Sequence, residues 1–509
     1  MAIYKVGGNE AKKVKWIVTP YVLGRCVDLG CGPFKLHPYM IGVDNTPGWR
    51  QLGVDIFADA QKLDLFGTES MDSVFSSHVL EEFEDTEAVL AEWWRLVKPG
   101  GHLILHLPHK DLYPKMGEKG ANKEHKHDFV PEDVLQAMRV SCKGWNCLVN
   151  EVRDGEREYS FLQVYKKRDT GDPEEEEFWK RRIGKKTLLI IRYGIIGDVI
   201  MAASTLPHLK AQGWEYITWL TTPISKRVLS NNPHIDEFLI TDLEQVPRME
   251  ISDFWEAQIP RYTRVLNLGH VIETTLIAAF NGVSRHWPND IRSKLMDHNY
   301  LETMHAVADV PFVPTKGFFP TDEERVQAQA VREQMPGKVI LWTIAGSSAH
   351  KKWPHTLEAL NALLESRPDV SVVTVGDDYW IPEIAEFKHP RHHHKGGDDG
   401  WDIRHSLAFA ECAADLVVGP ETGLMNSVAF LDVPKVIWLS HSSEHNLTEG
   451  WVRTKVLKPE NTPCYPCHTL HSGFGSCLID EKTKWPMCSS GIRVDAFLGA
   501  VAEMLWKVN

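Results

Sequence analysis

The chain has 509 residues, 43% hydrophobic and 25% charged; this is ordinary globular composition, and the length calls for two to four domains. Its net charge of −13 argues against a broad nucleic-acid footprint, and no run of ~18 apolar residues offers a membrane span, which leaves only peripheral membrane contact open. The start, Met1 to Lys5, has no apolar signal core and the nine cysteines are an odd number, so a cytoplasmic protein with free thiols is expected.

In the first third, short apolar runs predict strands at Val22–Leu29, Met40–Val43, Ser73–Ser76 and His102–Leu107. A helix is predicted over Thr86–Val97, closed by Lys98-Pro99-Gly100-Gly101. The alternation implies an α/β fold with a parallel sheet. The first strand ends in Val27-Asp28-Leu29-Gly30-Cys31-Gly32-Pro33. Glycine there lets the backbone approach a ligand and adopt positive φ. Asp44 follows the next strand, where a carboxylate can accept both hydroxyls of a ribose. Asp59-Ala60 lies past a further short segment, within reach of an adenine amine.

That ordered set resembles the class I S-adenosylmethionine-dependent methyltransferases, over about residues 20 to 140. Ser76-Ser77-His78-Val79-Leu80-Glu81 and Arg95 to Gly101 complete the match. The resemblance implies a seven-stranded doubly wound, Rossmann-like sheet that binds S-adenosyl-L-methionine through Asp28, Gly30, Gly32, Asp44 and Asp59. The family usually reads Leu-Glu-His where this chain has Leu80-Glu81-Glu82, which bears on the methyl acceptor. His125 and His127, with Asp128, can act as a base or orient an acceptor hydroxyl; a surface loop is the plainer alternative.

Lys166 to Lys186 carries 8 basic and 6 acidic residues in 21 and reads as a linker. The division expected is a methyltransferase domain over 1–165, a charged linker over 166–186, and two further α/β domains over 187–325 and 326–509. Beyond the linker, strands are predicted at Thr187–Ile191, Tyr216–Leu220, Val265–Leu268, Lys338–Trp342, Val370–Val375, Leu416–Val418 and Lys435–Leu439. Arg391 to His394 is expected to be a solvated loop rather than a metal site.

Three glycine-containing turns punctuate this part. Arg192-Tyr193-Gly194-Ile195-Ile196-Gly197-Asp198 leads from a strand into a helix and ends in a carboxylate. Ala345 to Pro354 places Ser347, Ser348, Lys351 and Lys352 after another strand, and Gly419-Pro420-Glu421-Thr422-Gly423-Leu424 opens a later helix. Open backbone N–H groups at two such turns suit a pyrophosphate. Alone, Asp198 can equally be a helix cap.

Together with Pro207, Lys351-Lys352-Trp353-Pro354, Asp415 to Leu424, Ala429 to Pro434 and Cys464-Tyr465-Pro466-Cys467, these turns resemble glycosyltransferase family 9, the ADP-heptose:lipopolysaccharide heptosyltransferases. The likeness covers residues 187 to about 500 and implies a GT-B pair of Rossmann-like domains acting on a nucleotide-sugar, most readily an ADP-sugar. It assigns the general base to Asp198, and the offsetting of the departing diphosphate's charge to Lys352 and the main-chain N–H groups around Thr422 and Gly423. The residues themselves add Ser347, Ser348, Glu421 and Leu424 as expected donor-site groups, and Asp377 or Asp378, just after a strand, can hold the donor ribose. The absence of any D-x-D triplet fits a metal-independent transferase. Glu421 and Asn426 depart from the aspartate and histidine typical of the family, so the donor sugar is open. Cys464, Cys467, Cys477 and Cys488 form a C-x2-C-x9-C-x10-C set that can hold structural zinc, or simply stiffen a loop as free thiols.

The expectation is a bifunctional enzyme that glycosylates a small molecule or glycan and methylates the same product or its acceptor. Glycosylation of modified nucleic-acid bases, or a glycosyltransferase carrying a non-catalytic methyltransferase-like module, are the alternatives.

Overall fold

Short, doubly buried strands in the first half join into one sheet. They are β1 (Cys26–Leu29), β2 (Ile41–Asp44), β3 (Ile56–Phe57), β4 (Met71–Ser77), β5 (Val97–Pro108), β6 (Trp145–Arg153) and β7 (Ser160–Lys167). The structure, a computed structural model, describes all residues except 1–8, 47–52, 171, 173–183, 242–245, 270, 274, 279–281, 345, 347, 378–380, 398–399, 476 and 507–509. The strand order is β3-β2-β1-β4-β5-β7-β6, with β7 antiparallel to β5 and β6 and the remaining neighbours parallel. Val27, Leu29, Val74, Phe75, Leu103 and Leu105 are fully buried, as strands covered on both faces require. The doubly wound, Rossmann-like sheet is therefore as expected.

Helix α1 (Ala11–Val18) buries Val14, Ile17 and Val18. Helix α2 (Thr86–Leu96) is capped by Asp85, whose side chain accepts from Ala88 N at 3.0 Å, and buries Val89, Leu90, Trp93, Trp94 and Leu96. It does not run on into a glycine stop. The Lys98 to Gly101 segment belongs to β5, because Val97 already pairs with Met71. Helix α3 (Pro131–Ser141) follows before β6.

By contact, the chain divides into two compact units, residues 1–187 with 239–264, and residues 188–238 with 265–509. Within residues 239–264, the stretch from Glu250 to Arg261 packs against α1 and β6 of the first unit. The helix Ile251–Gln258 lies along α1: Gln258 Nε2 donates to Trp16 O at 2.8 Å, and Phe254 meets the Trp16 ring edge-on at 6.4 Å. Lys15 pairs with Glu250 at 3.2 Å, and Arg261 with Glu151 at 3.2 Å.

The second unit is built on two sheets. The first takes the order β10-β9-β8-β11 from β8 (Thr187–Ile191), β9 (Tyr216–Thr221), β10 (Glu237–Ile240) and β11 (Arg264–Asn267). The other is parallel throughout, in the order β14-β13-β12-β15-β16-β17. It comprises β12 (Lys338–Thr343), β13 (Val370–Val375), β14 (His392–His394), β15 (Leu416–Pro420), β16 (Lys435–Trp438) and β17 (Thr454–Leu457). The histidine run expected in a loop is its edge strand instead. Thr374 Oγ1 holds both His392 Nε2 and His394 Nδ1 at 2.9 Å, which lets polar rings pair in a sheet. Helix α4 (Ile196–Ala203) follows β8, α5 (Gly423–Ser427) follows β15, and α6 (Val494–Trp506) closes the chain. Trp342, Trp353, Trp438 and Phe497 interlock beneath the second sheet, with Trp342 and Phe497 centred 4.8 Å apart. This packing fixes the tips of β12 and β16, where the turns emerge.

Candidate active sites

In the first unit the glycine turn after β1 is held closed by backbone bonds: Gly30 N and Cys31 N both donate to Val43 O, at 2.8 and 3.2 Å. Gly30 and Gly32 have φ of 68° and 55°, the left-handed region that favours glycine. A Cβ on Gly30 would come within 2.3 Å of Val79. Asp44 Oδ2 accepts from Gly32 N at 3.0 Å and Oδ1 from Thr46 N at 2.8 Å. Each oxygen keeps a lone pair for a further donor. Asp28 is buried beneath the turn, accepts from Leu36 N at 2.8 Å, and is pushed up to about 7 by burial. It supports the turn from below. Asp59 is exposed and caps Gln61 N at 2.9 Å, while the adjoining Ala60 carbonyl takes the Trp93 indole N–H at 2.9 Å.

The two histidines proposed for the methyl acceptor part company. His125 Nε2 lies 3.5 Å from Glu81, whereas His127 turns to Glu84 O at 3.2 Å and stacks on Phe129 at 5.4 Å. Glu81 is the group that sequence reading passed over. The motif contained it, but nothing in the sequence says that its carboxylate is buried. Glu82, the departure from the usual histidine, accepts from Asn122 Nδ2 at 3.0 Å, and burial together with the nearby Glu124 and Asp44 charges raises it.

In the second unit Arg192 directly follows β8 and is buried. Its Nη1 holds Glu273 at 2.9 and 3.2 Å, its Nη2 lies 3.8 Å from Asp198, and Nε and Nη2 make no hydrogen bond. Asp198 stands on the first turn of α4 and accepts from Ile195 N at 3.3 Å, so it also serves as the cap. Burial pushes it up to about 6; Arg192 opposes that shift and Glu273 adds to it. Gly197 beside it meets the start of α5: a Cβ there would lie 2.9 Å from Asn426 Nδ2 and 3.1 Å from Gly423 Cα. The turns carrying Asp198 and Thr422 therefore touch.

The other expected donor-site residues take distinct places. Ser347 and Asp378 lie outside the described residues. Ser348 is buried and tied inward, donating to His471 O, accepting from His471 N, and bonding His350 Nδ1, all at 2.8–2.9 Å. Lys352 is buried and pushed down to about 8, partly offset by attraction to Asp377, which is exposed at the end of β13. Lys351, not assigned from sequence, is the lysine facing Asp198 and Glu421; burial lowers it and both carboxylates raise it. Glu421 is buried, with Oε1 taken by the backbone N–H groups of Ser440, His441 and Ser442 and by Ser440 Oγ, and Oε2 meeting His441 Nδ1. That cage, and the neighbouring charges of His441 and Lys351, outweigh desolvation and hold Glu421 well below the usual carboxylate range. Thr422 caps α5 by accepting from Met425 N at 3.2 Å, and Leu424 is buried in the core.

Cys464, Cys467, Cys477 and Cys488 line one cavity of about 360 Å³ with Arg285 and Arg292. All four are free thiols, and among the described residues no group of three or more His, Cys, Asp or Glu is arranged to hold a metal ion. Nor is any helix there long and apolar enough to cross a membrane.

Residues 27–105 match the methyltransferase domain family. The matched stretch of this methyltransferase-domain half runs from β1 through most of β5 and includes Asp28, Gly30, Gly32, Asp44, Asp59 and Glu81. Among solved structures, the chain is similar to a glycosyl transferase family 9 protein from Veillonella parvula, at 15% identity and TM-score 0.47, covering 63% of this chain and 97% of that one. It is similar also to the E. coli ADP-heptose lipopolysaccharide heptosyltransferase II, at 15% identity and TM-score 0.44, covering 63% and 98%. An S-adenosylmethionine-dependent methyltransferase from Mesorhizobium loti matches at 20% identity and TM-score 0.25, covering 30% of this chain and 97% of that one. No curated protein matches the chain.

Proposed function

We propose that the chain is a bifunctional transferase. Its second unit moves a sugar from a nucleotide donor, preferentially an ADP-sugar, to a hydroxyl of a glycan or lipopolysaccharide-type acceptor, without a metal and with inversion. Its first unit methylates a small molecule or glycan. We keep the division into 1–165, 166–186, 187–325 and 326–509 as part of this reading, and cytoplasmic residence with it.

The observation that carries the glycosyl-transfer reading is the meeting of the Asp198 turn with the Thr422 turn, Gly197 against Gly423. A carboxylate held up to about 6 is a competent proton acceptor near neutral pH. Asp198 takes the acceptor's proton as its oxygen attacks the anomeric carbon from the face opposite the diphosphate. The diphosphate leaves toward Lys352 and the backbone N–H groups around Thr422 and Gly423, which offset its charge. The caged carboxylate of Glu421 fixes the Ser440–Ser442 loop and keeps a negative charge beside Lys351. In the first unit the Gly30–Gly32 turn is left-handed and Asp44 has lone pairs for ribose hydroxyls, so these residues fit S-adenosyl-L-methionine, which supplies an electrophilic methyl group when bound.

A panel of nucleotide-sugars scored for donor binding and for transfer tests the first activity. Asp198→Asn is expected to bind donor with wild-type affinity and to lose transfer by ~10²–10⁴-fold; full transfer by that variant sinks the assignment. Asp44→Ala is expected to abolish calorimetric binding of S-adenosylhomocysteine.

A further inference from the structure

Glu81 sits on the turn after β4, wholly withdrawn from solvent, yet neither oxygen of its carboxylate makes a hydrogen bond. Two imidazoles approach it: His125 Nε2 at 3.5 Å and His78 Nδ1 at 4.0 Å, both to Oε1. The backbone closes the arrangement, since Lys126 N and His127 N donate to the Glu81 carbonyl at 2.7 and 3.2 Å. His78 holds φ of 56°, a conformation costly for a residue with a side chain, and its Nε2 is anchored to Ser160 Oγ at 3.0 Å. A buried carboxyl without donors is unfavourable for folding and concentrates at functional sites. This one lies two residues from Val79, the side chain that packs on Gly30 of the methyl-donor turn.

We propose that Glu81 and His125 form a proton-accepting pair that makes this half an O-methyltransferase, with an alcohol such as a sugar hydroxyl as its substrate. The inference rests on the methyl-transfer reading above. A neutral amine or a carboxylate attacks a methyl group without first meeting a base, whereas a weakly acidic alcohol needs one. The acceptor oxygen bonds to the methyl carbon while the carbon–sulfur bond of the sulfonium donor breaks, its electron pair staying on sulfur. The hydroxyl proton passes to Nδ1 of His125, the nitrogen turned away from Glu81. Glu81 is a positioning residue: it orients the ring and stabilises the imidazolium that forms.

The titratable groups facing the pair are His78 and Glu82 from its own turn, Tyr113 against the His125 ring at 5.4 Å, Asp128 beside His125, and Glu10 and Lys13 acting through His78. Burial pushes Glu81 up to about 8 and His125 down. At neutral pH Glu81 holds its proton, so the carboxylate that stabilises the imidazolium is present, and the pair accepts the hydroxyl proton, only as pH passes about 8.

The test uses the full chain with isotope-labelled histidine, S-adenosylhomocysteine bound, and His125 assigned through His125→Gln. The ring nitrogens of His125 are expected to titrate below their ordinary value and to move again near pH 8; in Glu81→Gln the upper step disappears. Identical titrations in the two proteins overturn the pair. Should Glu81→Gln fold poorly, Glu81→Asp withdraws the acid by one methylene and must shift the upper step; an unmoved step is equally fatal. Labelled methyl transfer to methyl glycosides and to amino sugars is expected on oxygen, and label on nitrogen alone overturns the substrate class. Calorimetry separates the failures: a wild type that does not bind S-adenosylhomocysteine defeats the methyl-transfer reading itself, while a binding protein without the upper step defeats only the pair.

Discussion

Single carboxylates behave differently here according to what surrounds them. Asp198 is raised to about 6, so in the base role proposed for it, it acts once deprotonated: the rate of glycosyl transfer is expected to fall as pH drops below about 6 and to level off above it. Glu273 is one of the charges that raise Asp198, so Glu273→Gln is expected to move that acidic limb to lower pH, read from a pH–rate profile. Glu421 shows the opposite sign. Its native value is depressed, so the stability it lends is present above the unfolded value of ~4.3 and is lost as pH falls toward the native one. Removing the carboxylate, as in Glu421→Ala, leaves His441 and the loop N–H groups without their partner and is expected to cost about 3–5 kcal/mol, seen as a lower denaturant midpoint. The sequence placed Asp198, Lys352, Thr422 and Asp44 where turns begin, because strand–glycine–helix spacing marks such positions. It could not show that Lys351 rather than Lys352 faces Asp198, or that Ser348 is bonded inward. Those outcomes depend on contacts between turns far apart in the chain, such as Ser348 with His471.

At the scale of elements, glycines decide how closely strands, turns and helices approach. Gly30 needs both its left-handed φ and its missing Cβ, so Gly30→Ala is expected to cost roughly 1–3 kcal/mol and to abolish S-adenosylhomocysteine binding, measured by thermal unfolding and calorimetry. Most strands were legible from apolar runs: Tyr216–Thr221 and Val370–Val375 fall where such runs placed them, to within a residue. The edge strand His392–His394 was not, because its pairing rests on a threonine in the neighbouring strand rather than on hydrophobicity. The same holds for Lys98 to Gly101, whose glycines signal a stop, while the register with Met71 makes them the start of β5.

For the whole molecule, composition and charge correctly indicated more than one core, and the charged segment after Lys166 marked where the first sheet ends. They gave no hint that residues 239–264 return to that sheet's unit. The helix they contain covers α1 through Phe254 and Gln258. Replacing 250–261 by a short flexible linker is expected to lower the unfolding temperature of the methyltransferase-domain half and to expose Trp16 to a fluorescence quencher; unchanged values would show that the packing contributes little.

The interrupted path of that unit has a consequence for biosynthesis. A ribosome that has just finished the first sheet at Lys167 has not yet made the helix that shields Trp16, and the chain must grow on to Arg264 before the nascent unit can close. A break in the chain between the two stretches of that unit would likewise leave its two pieces held together by packing alone.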